Sequence, residues 1–395
     1  MTDSFQETRK ISYGENIKNS FAGALGGLVL FLASFGLLWW NEGNNVAQIH
    51  KANYMGKAAI EVDANKIDRK NDNQLVQLSG VATTNETLSD DIIKVPNAFK
   101  LTRKVEMYQW EEKKKTEKKD ELGGGTTEVT TYSYDKVWAS HAINSDSFKR
   151  TSYRNPEFKM EGATLYAQTG KLGEFKLTEK QSKSMGGTVD YTDLPSNSAY
   201  KIVDNKYYKG YNPENPQIGD IRISYTYIPS GAEVSIIAQQ KSDNTLDAMP
   251  YKKSSVYVQQ GGIKDKAAMI DTFRQNNKMV TIFLRILGWF LMFSGLNMMI
   301  DPLIVIFKVV PFVANVLRFF SKGVVALVTL ALSLLTIAIA WLAYRPFLSI
   351  FLIALIGGIG YGVKVMLDKR KTTEAPAAAQ VAEQPANGEN NSDNQ

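Results

Sequence analysis

The feature that most constrains this chain is the apolar block over residues 280–367. Residues 324–341 (VVALVTLALSLLTIAIAW) and 347–366 (FLSIFLIALIGGIGYGVKVM) run almost without a polar side chain. A helix rises about 1.5 Å per residue, so roughly 20 such residues cross roughly 30 Å of hydrocarbon. Neither run has the polar face, repeating every 3.6 residues or so, that a water-soluble helix needs. The short link through Ala343, Tyr344, Arg345 and Pro346 joins them. Together they read as a membrane hairpin, with spans at 324–343 and 347–367.

Two further spans precede it. Residues 21–40 (FAGALGGLVLFLASFGLLWW) carry no charge and end in Trp39 and Trp40. Indole rings favour the membrane–water interface, so these two are candidate interface anchors. A cleaved leader fits poorly: the apolar part is long, and Asn41-Glu42-Gly43 follows it in place of a small-residue cleavage site. Residues 280–300 form the second span. Its Arg285 lies inside the apolar run, where a cation needs either the headgroups or a partner. Gly23 with Gly27 in the first span, and Gly358 with Gly362 in the fourth, have the spacing that lets helices approach closely.

Residues 41–279 are too long and too patterned for a linker. Residues 73–83, 101–110 and 129–138 alternate as strands and are rich in β-branched and aromatic residues. Paired antiparallel, the last two would set Tyr108 and Trp110 near Tyr132, Tyr134 and Trp138 on an aromatic face. Residues 111–125 (EEKKKTEKKDELGGG) read as a solvated, charged tip between them. Residues 218–227 and 232–239, flanking Pro229-Ser230-Gly231, read as a second hairpin. The expected fold is an integral membrane α+β protein. It has four transmembrane helices and a large β-rich extramembrane domain between spans one and two.

Residues 303–322 hold a different pattern. Lys308, Pro311, Asn315, Arg318 and Lys322 are spaced by three or four and make one polar stripe on a helix. With Asp301-Pro302 ending the second span, the stripe suggests an amphipathic helix lying in the interface, its cations facing headgroups. A fifth insertion of this segment remains the alternative. Residues 1–20 form a polar N-terminus. Residues 368–395 begin with a basic cluster and continue as a tail with too little apolar surface to fold.

An even number of spans places both termini on one side. The N-terminus, residues 303–322 and the start of the tail concentrate Lys and Arg, which points to the cytoplasm. The domain then faces the periplasm of a bacterial inner membrane, or the lumen of an endomembrane. The cysteine count of zero excludes disulfides and thiol chemistry, and it fits a bacterial source. The two histidines, His50 and His141, lie in no HExxH context, and no Walker or GxGxxG motif is present. No catalytic residue, cofactor, metal or nucleic-acid partner is therefore assigned. The polar residues that remain near the outer face are Glu42, Arg285 and Arg345, and a Glu42–Arg285 or Glu42–Arg345 pairing is expected there.

Several stretches are specific enough to compare. They are Asn41-Glu42-Gly43, RKVEMYQWEE (103–112), TYSYDKVWAS (131–140), IGDIRISYTY (218–227), GWFLMFSGLNMM (288–299) and AWLAYRPF (340–347). In this order they resemble the transmembrane protein 43 family, also called LUMA. The resemblance implies four spans and a large lumenal domain. In animals it implies residence in the endoplasmic reticulum and inner nuclear membrane. There the family is regarded as a self-associating membrane organiser with lamina-associated partners and no enzymatic activity. The lysine-rich tip and the low-complexity tail depart from it, and a bacterial chain has no lamina to bind.

The functional expectation is a non-enzymatic membrane scaffold, a homo-oligomer whose domain meets other membrane proteins or lipid. One rival is a channel or transporter component. Only Arg285, Asn297 and Thr336 offer it polar groups within the spans. The other is a lipid-sensing or lipid-modifying enzyme, which needs a carboxylate or histidine pocket near the bilayer.

Overall fold

The computed structural model describes residues 4–345 together with Ile350, Tyr361 and Lys364. The expected fourth span, with Gly358 and Gly362, and the tail lie outside the described residues. Among the described residues, three helices are long and apolar enough to cross a membrane. They are α1 (Tyr13–Ala58), α2 (Lys266–Ile306) and α3 (Pro311–Tyr344).

Helix α1 starts where Ser12 accepts a hydrogen bond from the Glu15 amide at 3.2 Å. It does not stop at Trp40, as its polar exit sequence suggested. Ala52 and Met55 recur on one face and bury against Met269 and Ile270 of α2 and against the domain, so the helix continues to Ala58. Helix α2 opens with Asp265 accepting from the Ala268 amide at 2.7 Å. From Lys266 the end of the domain segment and the second span form one continuous helix. The helix also passes through Pro302, which is buried, and ends at Ile306, six residues past the expected end of the span at Ile300, in a 3-10 turn at Phe307–Val309. Pro311 then occupies the first turn of α3, where a missing N–H costs nothing. The separate interfacial helix expected over 303–322 is therefore absent. Its first part closes α2 and its second opens α3.

The helices α1 and α2 are antiparallel. Gly27 faces Gly295, where an added Cβ would sit 2.6 Å from the opposite carbonyl oxygen. Gly288 takes the Leu38 side chain, and Asn41 donates to the Thr281 carbonyl at 3.1 Å. Helix α3 runs back alongside them, and its Tyr344 ring lies against Gly43.

The β-rich domain is built on two sheets. The strands that matter are β1 (Ser4–Ile11), β2 (Leu75–Thr83), β3 (Ala98–Asp120), β4 (Thr126–Ala139), β5 (Thr169–Leu172), β6 (Phe175–Thr178), β7 (Lys206–Lys209), β8 (Ile221–Pro229), β9 (Ala232–Gln240) and β10 (Val258–Gly261). One sheet runs β1-β4-β3-β8-β7, and the other runs β6-β5-β2-β9 with β10 also on β9. Phe99 and Ile228 of the first sheet bury with Leu78, Phe175 and Ile236 of the second, which joins the two. The helices attach through Ala52, Met55, Met269 and Ile270, packed on Leu75, Ile237 and Val258.

The expected aromatic hairpin is present, with Tyr108 opposite Trp138 and their rings 5.1 Å apart. Two other expectations change. The strands β8 and β9 follow one another but do not pair. Pro229 has no N–H to donate, Ser230 and Gly231 bond instead to Asn97 and Ala82 carbonyls, and the chain crosses from one sheet to the other. The charged run 111–125 is not a loop up to Gly125. The ladder between β3 and β4 continues out to Asp120 opposite Thr126. Lys113 reaches Asp135 at 2.8 Å, and Thr116 meets Thr130 at 3.1 Å, so cross-strand pairs carry the charges along an exposed ribbon.

The N-terminus is no free polar segment either. All of β1 pairs antiparallel with the outer half of β4, Ser4 opposite Ser133 through Ile11 opposite Thr126. The hairpin thus starts in the domain at one end of α1 and finishes beside the other end.

Candidate functional site

Polar groups meet the apolar helices at two junctions, one at each end. The first is near the domain. The antiparallel register of α1 and α2 sets Glu42 opposite Arg285. Arg285 donates from Nε to Glu42 Oε1 at 2.6 Å and from Nη2 to Oε2 at 2.8 Å. Glu42 is 0% exposed. The pair is bidentate, the geometry that best offsets the loss of hydration. Of the two pairings expected for Glu42, this is the one formed, so Arg285 meets a carboxylate and not only headgroups. The Arg345 guanidinium lies 4.2 Å from the Trp341 ring. A cavity of about 310 Å³ opens beside the pair, lined by Asn45, Gln48, Arg274, Lys278 and Trp341 among others. Trp39 and Trp40 are both exposed, and the Trp39 ring sits 5.7 Å from Tyr344.

The second junction is at the hairpin tip. Asp120 closes the ladder and receives three donors. Lys308 Nζ is 3.1 Å from Oδ1, Arg318 Nη1 is 3.3 Å from Oδ2, and the Thr126 hydroxyl donates to Oδ1 at 3.1 Å. Burial opposes ionisation of Asp120, but the hydrogen bond and charge of Lys308, with the charge of Arg318, hold its carboxyl below the usual range. Asn16 of α1 donates to the Gly124 carbonyl at 2.9 Å and to Thr126 Oγ1 at 3.0 Å. The Gly123 amide donates to the Val309 carbonyl at 3.2 Å, and the Tyr13 hydroxyl to the Ile306 carbonyl at 3.0 Å. Gly124 has φ +84°, and Tyr13 covers it so closely that no Cβ fits.

Lys308 and Arg318 were expected to face headgroups. Instead they clamp the tip, and Lys308 is buried. Lys322 stays exposed on α3. Gly27 is used inside the chain against α2, while an added Cβ on Gly23 would meet nothing within 4 Å. A cavity of about 540 Å³ lies under the tip, lined by Gly23 and by Arg9, Lys118, Asn297, Asp301 and Lys308. Sequence reading missed Asn16, Asp120 and Thr126. Their only local signal was the glycine triplet 123–125, which marks a tight turn but not its partner.

His141 is held through its carbonyl, which accepts from Gln109 Nε2 at 2.9 Å. Among the described residues, no group of three or more His, Asp or Glu side chains is placed to hold a metal ion. Both junctions are built on ion pairs, Glu42 with Arg285 at one and Asp120 with Lys308 and Arg318 at the other.

Comparison with known proteins gives a consistent picture. The chain is 29% identical over 356 residues to Transmembrane protein 43 of Mus musculus, covering 84% of this chain and 87% of that one. The figures for the Homo sapiens protein of the same name are also 29%, 84% and 87%. The Transmembrane protein 43 homolog of Drosophila melanogaster is 26% identical, covering 85% and 92%. No solved structure matches. The family model described as Transmembrane protein 43 matches residues 107–346, from the base of the hairpin through α3. With multiple apolar helices carrying a β-rich domain, and that match over more than half its length, this chain belongs to the Transmembrane protein 43 family of membrane proteins.

Proposed function

We propose that this protein is a non-enzymatic membrane scaffold that self-associates and presents its β-rich domain to other membrane proteins or to lipid. The observation that carries this reading is the double attachment of the domain. Its base is packed on α1 and α2 through Met55, Met269 and Ile237, and its hairpin tip is fastened to the helices through Asp120. A domain held at two points keeps one orientation to the bilayer, which suits presentation of a surface. The exposed apolar side chains of α3, such as Leu327 and Leu334, leave helix surface for a second copy.

Crosslinking in native membranes tests self-association. A ladder above the monomer is expected, and monomer alone would overturn that part. Capture from native membranes by the intact chain, against one lacking residues 60–262, tests presentation. A partner retained by both chains would show that the domain does not present it.

A further inference from the structure

At the domain end of α1 and α2, charge gives way to apolar surface within a single turn. Arg274, Lys278 and Arg285 are spaced by four and seven residues, which sets them along one face of α2. Directly after Lys278 come the exposed apolar side chains Met279, Val280 and Phe283. Asn41, which follows the uncharged stretch 21–40 of α1, bonds to Thr281, so both helices change from apolar to polar at one level. Trp39 and Trp40 are exposed there, and indole rings favour the edge of the hydrocarbon.

The cavity of about 310 Å³ beside Glu42 and Arg285 lies on this boundary. Arg274 and Lys278 line its polar part, and Ile49, Ile282 and Trp341 its apolar part. Among the described residues, its lining holds no carboxylate. Arg285 is engaged by Glu42, and Arg274 by Asp271 at 3.4 Å and Asn53 at 3.1 Å. Lys278 is exposed and has no ion pair or hydrogen bond among the described residues. The Trp341 indole N–H is covered, yet it meets no acceptor among the described residues. Buried donors are nearly always paired, so this one calls for a ligand oxygen.

We propose that this cavity binds the headgroup of an anionic phospholipid. Lys278 and Arg274 face the phosphate oxygens, to which an ammonium and a guanidinium give charge-assisted hydrogen bonds. The Trp341 N–H donates to a headgroup oxygen, and the acyl chains leave past Ile282 into the hydrocarbon. A zwitterionic headgroup fits less well. Its ammonium would meet cations and find no free carboxylate, because both oxygens of Glu42 are held by Arg285. Pockets that enclose small ligands begin at about 300 Å³, so the cavity takes a headgroup and leaves the acyl chains in lipid. The inference does not rest on the scaffold reading, because the cavity lies within one chain and is complete in a monomer.

The test uses the purified full chain in neutral detergent micelles, with bound lipid read by native mass spectrometry. Phosphatidylglycerol and phosphatidylcholine of equal chain length are compared. One phosphatidylglycerol retained per chain, in preference to phosphatidylcholine, is expected. Lys278→Gln should weaken its binding about fivefold, the equivalent of about 1 kcal/mol for one cation near a charged surface. Lys278→Arg should keep it. Arg274→Gln, on another exposed side chain, should also weaken it, and so should Trp341→Phe, which keeps a ring and loses the N–H. Lys322→Gln, an exposed cation outside the cavity, should leave it unchanged. Equal retention of the two lipids would overturn the proposal, as would native binding by both Lys278→Gln and Arg274→Gln. Glycerol 3-phosphate separates a lipid from a soluble phosphate: if an equimolar amount displaces the phospholipid, the site belongs to a soluble ligand and the lipid assignment is wrong.

Discussion

At the residue scale, the chain depends on two charge contacts of different kinds. Glu42 and Arg285 form a pair with the carboxylate fully covered. Removing one partner of such a pair strands the other charge and costs about 3–5 kcal/mol, whereas replacing both with apolar residues can be neutral. Glu42→Gln should therefore lower the thermal midpoint in detergent, and Glu42→Leu with Arg285→Met should recover most of the loss. A double variant no better than the single one would show that the pair contributes stability that apolar packing does not replace. Asp120 differs because it lies outside the apolar stretches. Its carboxyl is depressed in the folded chain, so its contribution is complete above the ordinary carboxylate value of about 4 and disappears as pH falls through the lower folded value. Hydrogen exchange in residues 4–11 should thus be unchanged in protection from pH 7 to pH 5 and rise only in stronger acid. In Asp120→Asn it should be raised already at pH 7.

At the element scale, close packing singles out particular glycines. Gly27 and Gly295 face each other backbone to backbone, and a Cβ on Gly27 would also meet Met298 at 2.6 Å. Gly27→Leu should separate α1 from α2 and lower stability by about 1–3 kcal/mol, the usual cost of overpacking. Gly23→Leu on the same helix, where the space is open, should leave the monomer's thermal midpoint nearly unchanged. Similar losses from both would mean that α1 packs differently. Both glycines were visible in the sequence as one motif. Spacing alone could not separate them, because the difference is made by Gly295, hundreds of residues away. The same holds for strands β8 and β9. Their alternation was readable, yet Pro229 and Gly231 turn the chain into a second sheet where a simple hairpin was expected. Helix ends were misplaced for a related reason. Polar residues 41–45 look like an exit from lipid, but Met55 finds a core to enter and the helix goes on.

At the scale of the whole molecule, the charged ribbon is a strut between the domain and the far end of the helices. Gly124 sits at its tip with positive φ under the Tyr13 ring. Gly124→Val should detach the tip without unfolding the sheets, and it should expose residues 4–11 to proteolysis while the domain stays resistant. Loss of the domain in the same digest would show that the tip is needed for folding and not only for bracing.

What the sequence determined by itself was chemistry with a short range. Unbroken apolar runs demand lipid, alternating β-branched and aromatic residues demand a half-buried sheet, and family-specific stretches such as EMYQW keep their order. The Glu42–Arg285 pairing was also within reach, since a cation in an apolar run must find an anion. Tertiary structure alone decided where the charged run goes. Nothing local tells 111–120 from a solvated loop. Only the long pairing of β3 with β4, and the arrival of Lys308, Arg318 and Asn16 around the tip, turn it into a ribbon fastened to the helices. Charges in water are satisfied almost anywhere, so their sequence leaves position open. An apolar surface has one acceptable solvent, and its sequence does not.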